Sequence, residues 1–149
     1  MKTGAVRRVA IVEAARDWIG TPYRHQGSTR NVGCDCLGLV RGVWRHIYGE
    51  EAEQPGPYQP DWAEMTSAER LIAAGRRHCG PPLPAAEMQP GDIIAFRWRA
   101  HLPAKHVGIV SAADRFIHAY EQACVIESPL IPAWRRRIAA VFRFPGVVD

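Results

Sequence analysis

The sequence predicts an α+β fold, N-terminal helices packed on a C-terminal antiparallel sheet of about five strands, because its first half carries helical periodicity and its second half strand texture. Up to about Pro84, apolar residues recur at three- and four-residue spacing. From Pro90-Gly91-Asp92 onward, short β-branched and aromatic runs alternate with turn residues. With 149 residues, 47% of them hydrophobic, the chain has the size and apolar content of one ordinary domain, residues 1–149.

Thr3 can cap a first helix running to about Trp18, where Ile11, Ala14, Ala15 and Trp18 share a stripe and Gly20 offers a stop. Gly20 to Gly33 is rich in Gly, Pro, Ser and Asn and reads as a loop. A second helix begins at Asp35, with Cys36, Leu39, Val40, Val43, Trp44 and Ile47 on one face and Gly49 as its end. A connector containing Pro55, Pro57 and Pro60 leads to a third helix. Thr66-Ser67-Ala68-Glu69 opens it with capping-box spacing, and Pro81, Pro82 and Pro84 close it. Strands are expected at Ile93–Trp98, His106–Ser111, Phe116–Tyr120, Cys124–Ser128 and Ile138–Phe144.

The formal charge of +4 comes mostly from arginine, since Lys2 and Lys105 are the only lysines among 19 basic residues. The arginines form short clusters, such as Arg135-Arg136-Arg137, which read as solvated faces or as a surface for an anionic polymer or a protein partner. No nucleic-acid module is recognisable, so no nucleic-acid partner is expected. Arg7, Arg8, Glu13 and Arg16 interrupt the apolar residues of the first segment, unlike a signal peptide, and no stretch is long enough to insert in a membrane. Synthesis in the cytoplasm is the expectation. The cysteines at 34, 36, 79 and 124 form no C-x-x-C pair, so reduced thiols are expected, with no zinc ribbon and no cofactor.

Cys36 follows Asp35 at the start of the second helix, where unpaired N–H groups and the helix dipole favour a thiolate and can face an oxyanion. A small apolar residue on an inner helix face would look the same in sequence. His106 opens one strand and His118 lies on the next, across the turn Ser111-Ala112-Ala113-Asp114-Arg115. Residue numbers of antiparallel partners keep a constant sum: 224 sets the two histidines opposite each other, 226 makes them diagonal neighbours on one face, and an odd sum separates them. Together the histidines supply a base and the group that orients it, which an amide-cleaving thiol requires.

Five segments, Gly20-Thr21-Pro22-Tyr23, Asp35-Cys36-Leu37-Gly38-Leu39, Gly91-Asp92-Ile93-Ile94, His106-Val107-Gly108-Ile109-Val110 and Ile117-His118-Ala119, in that order, resemble the NlpC-type cell-wall cysteine peptidases. The resemblance implies a papain-like fold and no metal. It makes Cys36 the nucleophile, His106 the base and His118 the orienting residue, with Tyr23 helping the oxyanion site or merely packing, and Asp35 binding the amine of a stem peptide or merely capping the helix. The implied substrate is peptidoglycan stem peptide, cut between D-glutamate and a diamino acid. Leu37 departs from the serine that relatives commonly carry there, which removes a hydroxyl used in substrate recognition.

The chain further resembles the compact subgroup encoded with phage tails and gene-transfer agents, which implies a tail hub or tail-tip partner and a virion-associated location. The alternatives are a wall-binding or structural tail component without turnover, and an acyltransferase using the same thiol. Cys34 reads as a bystander, a second thiol that competes for modification, a redox partner of Cys36 or a weak metal signal. His101 is the rival base; His25, His46 and His78-Cys79 take no role. Trp44, Trp62, Trp98 and Trp134 read as core or groove walls, and Arg24 could reach an acidic substrate.

Overall fold

A computed structural model describes residues 4–56 and 69–149. Helix α1 spans Arg8–Arg16 and α2 spans Cys36–Tyr48, separated by a two-rung ladder of β1 (Ser28–Thr29) and β2 (Gly33–Cys34) inside the stretch expected to be loop. Helix α3 spans Arg70–Cys79; strands β3 (Ile93–Phe96), β4 (His106–Ala112), β5 (Arg115–Ala119) and β6 (Val125–Pro129) follow, then the short α4 (Pro132–Arg135) and β7 (Ile138–Phe142). All four sheet pairings are antiparallel, in the order β6-β5-β4-β3-β7. The five expected strands are therefore present, each within two residues of its expected ends. The Thr3 cap and most of the proposed capping box lie outside the described residues; α1 starts later than expected, at Arg8, with no side-chain cap.

Strand alternation divides the core in two. Ile93, Ala95, Val107, Ile109, Ile117 and Ala119 face the helices and pack with Ile11, Ala15, Leu39 and Val43. Ile94, Phe96, Val110 and Phe116 point to the opposite face and pack with Leu130, Trp134 and Ile138. Asp92, fully buried at the head of β3, is held by Arg8 at 3.1 Å and by Arg143 at 2.9 Å, and accepts the Gln89 N–H. Its carboxylate thus ties the start of α1 and the segment after β7 to the sheet, and the two guanidiniums satisfy a charge that would otherwise be prohibitive to bury.

Parity is decided at the β4–β5 turn. The turn closes with Ala112 facing Arg115, an odd sum, but beyond an irregularity between Val110 and Ala112 the partners are Val110 with Phe116 and Ile109 with Ile117, an even sum of 226. The extra residue, Ser111, is a β-bulge on β4. Had the turn's own register continued, His118 would stand opposite Ile109 and face the helices. The bulge instead returns it to the face of His106, as a diagonal neighbour.

Candidate active site

Helix α2 begins at Cys36 because Asp35 is its N-cap: Asp35 Oδ1 accepts the Gly38 N–H at 2.8 Å and Oδ2 accepts the Gln26 N–H at 2.8 Å. Asp35 is only 2% exposed, so its carboxylate is an architectural anchor first, with the His25 ring 4.0 Å from Oδ2. Gly38 is required by the same junction, since a Cβ there would lie 1.8 Å from the Gly27 carbonyl oxygen. The far end of α2 stops as expected, with Gly49 in the left-handed conformation at φ 81°.

The thiol of Cys36 lies against the backbone on both sides of His106. Its Sγ–H donates to the Lys105 carbonyl at 3.8 Å, and the N–H groups of Val107, Leu37 and Cys36 itself favour the thiolate. Burial opposes them: together with the neighbouring Asp35 it pushes the thiol up to about 12. Among the described residues, no hydrogen bond joins Cys36 to His106.

The histidines are joined directly. His106 Nε2 and His118 Nδ1 are 2.8 Å apart, and His118 Nε2 is 2.8 Å from Ser128 Oγ on β6. Gly108, opposite His118 in the register, leaves this diagonal open; a Cβ there would come within 3.1 Å of the His118 Cβ and 2.8 Å of the Ile117 carbonyl oxygen. Aromatic rings dry the pair. Trp98 and Trp134 stack on His106 at 5.5 and 5.7 Å between centroids, and Phe116 stacks on His118 at 4.2 Å. Burial, with His118 alongside, pushes His106 down to about 3, and burial pushes His118 down to about 4. Both imidazoles therefore rest neutral near pH 7, leaving one nitrogen on each to accept a proton.

Tyr23 reaches this region because Gly20–Tyr23 runs beside the segment before β6, with Tyr23 N–H donating to the Ala123 carbonyl at 3.0 Å. The half-buried phenol has its pKa raised, first by burial and then by Cys36 and Asp35, so the hydroxyl stays a donor close to the thiol. Cys34 is fully buried beneath the site, and its thiol is pushed up to about 12 by burial. His101, the rival base, is exposed, as is His46, while His78 pairs with Glu53. The expectation of tryptophan walls holds for Trp98 and Trp134 beside His106 and for Trp44, which lines a cavity of about 290 Å³ between α2 and α3. That cavity is on the helix side of the sheet, lined by Leu37 and Val107 but by neither His106 nor His118. Trp62 lies outside the described residues. Sequence reasoning missed Ser128 and α4; only the diagonal register reveals the serine, because no spacing links it to His118.

The described residues contain no group of three or more His, Cys, Asp or Glu that could hold a metal ion, and no helix long and apolar enough to cross a membrane. A thiol at a helix N-terminus set against a strand-borne histidine pair defines a papain-like arrangement. The chain belongs to the NlpC/P60 family, whose model matches residues 20–143. It is 31% identical over 144 residues to a Gamma-DL-glutamyl hydrolase of Bacillus subtilis, covering 96% of this chain and 31% of that protein. It is 30% identical over 128 residues to the Murein DD-endopeptidase MepS/Murein LD-carboxypeptidase of Escherichia coli, covering 85% of this chain and 57% of that one. The chain thus spans roughly a third to a little over half of these relatives. Among solved structures, the NlpC/p60 domain of peptidoglycan hydrolase SagA superposes with a TM-score of 0.68 at 21% identity, covering 93% of this chain and all of that domain.

Proposed function

We propose that this chain is a cysteine peptidase that hydrolyses an amide bond of peptidoglycan stem peptide, with Cys36 as nucleophile, His106 as base and His118 orienting the base. The observation that carries the reading is the 2.8 Å bond from His106 Nε2 to His118 Nδ1, beside a thiol seated on the backbone that flanks His106. That bond occupies Nε2 and leaves Nδ1 of His106 to take the thiol proton. Rotation of the thiol away from the Lys105 carbonyl starts the reaction. The S–H proton passes to Nδ1, sulfur bonds to the amide carbon, and the oxyanion meets the N–H groups at the start of α2 and the Tyr23 hydroxyl. The C–N bond breaks as the imidazolium returns its proton to the leaving amine, and water then hydrolyses the thioester.

The bond we assign is that between the γ-carboxyl of D-glutamate and a diamino acid. The relative matched along 96% of the chain is named a Gamma-DL-glutamyl hydrolase, which favours this bond; the other is named for DD-endopeptidase and LD-carboxypeptidase activities. Mass spectrometry of fragments released from purified wall material decides it, and release of none would leave a wall-binding module. Cys36→Ala and His106→Ala are each expected to lower turnover by a factor on the order of 10³ or more while the domain stays folded. Retained cleavage by either variant overturns the assignment. Delivery by a phage-like tail is a separate proposal resting on resemblance alone. Cofractionation with particles supports it, and recovery only as free protein removes it.

A further inference from the structure

We propose that Ser128 is a positioning residue that holds the histidine pair in the one hydrogen-bond direction that leaves His106 able to accept the thiol proton. The inference rests on the proposed roles of Cys36 and His106.

The chain His106, His118, Ser128 can be polarised in two ways. In one, His106 Nε2–H donates to His118 Nδ1, and His118 Nε2–H donates to Ser128 Oγ, both across 2.8 Å. His106 Nδ1 then carries a lone pair. In the other, Ser128 donates to His118 Nε2, His118 Nδ1–H donates to His106 Nε2, and the proton of His106 sits on Nδ1, where it blocks the base.

The activated state admits only the first direction. Once His106 has taken the thiol proton it is an imidazolium that donates from both nitrogens, so His118 must accept at Nδ1 and carry its own proton at Nε2. That Nε2–H needs an acceptor, because His118 is fully buried, and among the described residues Ser128 Oγ is the one it meets. The rest of the His118 surroundings are aromatic: Phe116 at 4.2 Å, Trp134 at 5.4 Å and Tyr120 at 5.8 Å, with His106 and Tyr120 the titratable neighbours. Ser128 itself is half-buried, so its hydroxyl proton can turn to solvent while Oγ accepts. Without it, a buried orphan N–H is costlier than an orphan acceptor, and His118 shifts to the blocking tautomer.

The test uses the full chain and the synthetic peptide L-Ala-γ-D-Glu-diaminopimelate, with Ser128→Ala, Ser128→Val and Ser128→Thr. Nitrogen-15 NMR of the histidine rings is recorded in each variant and in a Cys36→Ala background. Ala and Val are expected to lower kcat by about tenfold, the upper end of what loss of one neutral hydrogen bond carries, with KM within about twofold. Thr, which keeps the hydroxyl at the volume of Val, restores kcat. The His118 proton lies on Nε2 in wild type and Thr, and moves to Nδ1 in Ala and Val. Unchanged kcat in Ser128→Ala, impairment without a tautomer shift, or failure of Thr to rescue each overturns the proposal. Turnover surviving in Cys36→Ala would instead defeat the nucleophile assignment, and the ring spectra, which need no turnover, would still decide Ser128.

Discussion

The two faces of the central sheet come from the same strands but do opposite work. Along β4, Val107 and Ile109 face α1 and α2 with aliphatic neighbours, whereas His106, Gly108 and Val110 face Phe96, Phe116 and Trp134. The helix side holds the fold together, and its residues are interchangeable in kind, since burial of apolar area is non-directional. The aromatic side holds two polar rings whose partners must lie within 2.8 Å. It tolerates far less displacement, because hydrogen bonds weaken steeply with distance and angle. The thiol thus comes from the helix side, on α2, and the histidine pair from the aromatic side, with β4 common to both.

The strongest test of that division shifts one histidine to the other face. Inserting one alanine between Ile117 and His118 is expected to move His118 one place along β5, turn it toward the helices and abolish peptide cleavage. Loss of the His106–His118 coupling in ring NMR checks it. Next, Ile109→Ala should lower unfolding free energy by about 2–5 kcal/mol, as buried large-to-small changes do, while kcat per folded molecule is retained. Urea denaturation and activity at low temperature measure the two separately; a collapse of kcat alone would break the comparison.

A third test concerns pH. The buried histidines have folded values of about 3 and 4 against an ordinary 6.5, so as pH falls below 6.5 the unfolded chain binds protons that the folded one refuses. The stability they contribute is fully present above 6.5 and is lost progressively down to about 3. His118→Gln should flatten that slope in a series of urea melts. Trp134→Ala, which opens the dry wall, should move the His106 titration up toward 6.5, read by proton NMR of the ring. The smallest effect belongs to the junction of α2: Asp35→Ala should cost about 0.5–2 kcal/mol as a lost N-cap, seen as a lower melting temperature.

Much of this was legible in the chain. The stripe from Leu39 to Ile47, the Gly49 stop and the five strand runs are local patterns that survive packing unchanged. The resemblance brought Cys36, His106, His118, Tyr23 and Asp35 to attention, and the structure gathers all five at the junction of α2 with β4, β5 and the segment before β6. The burial that pushes the Cys36 thiol up was not legible, because a helix terminus announces itself in sequence whereas burial does not. Ser128 and the short helix α4 escaped notice for the same reason: their places come from a strand register and a helix folded over a ring, not from spacing.

What the sequence determines by itself is which residues can be helix, strand or cap, since backbone preference and apolar period act within a few neighbours. What only the tertiary structure decides is whether His106 and His118 share a face. That turns on one bulged residue, Ser111, because side chains on a strand alternate and a single extra residue reverses every side chain beyond it.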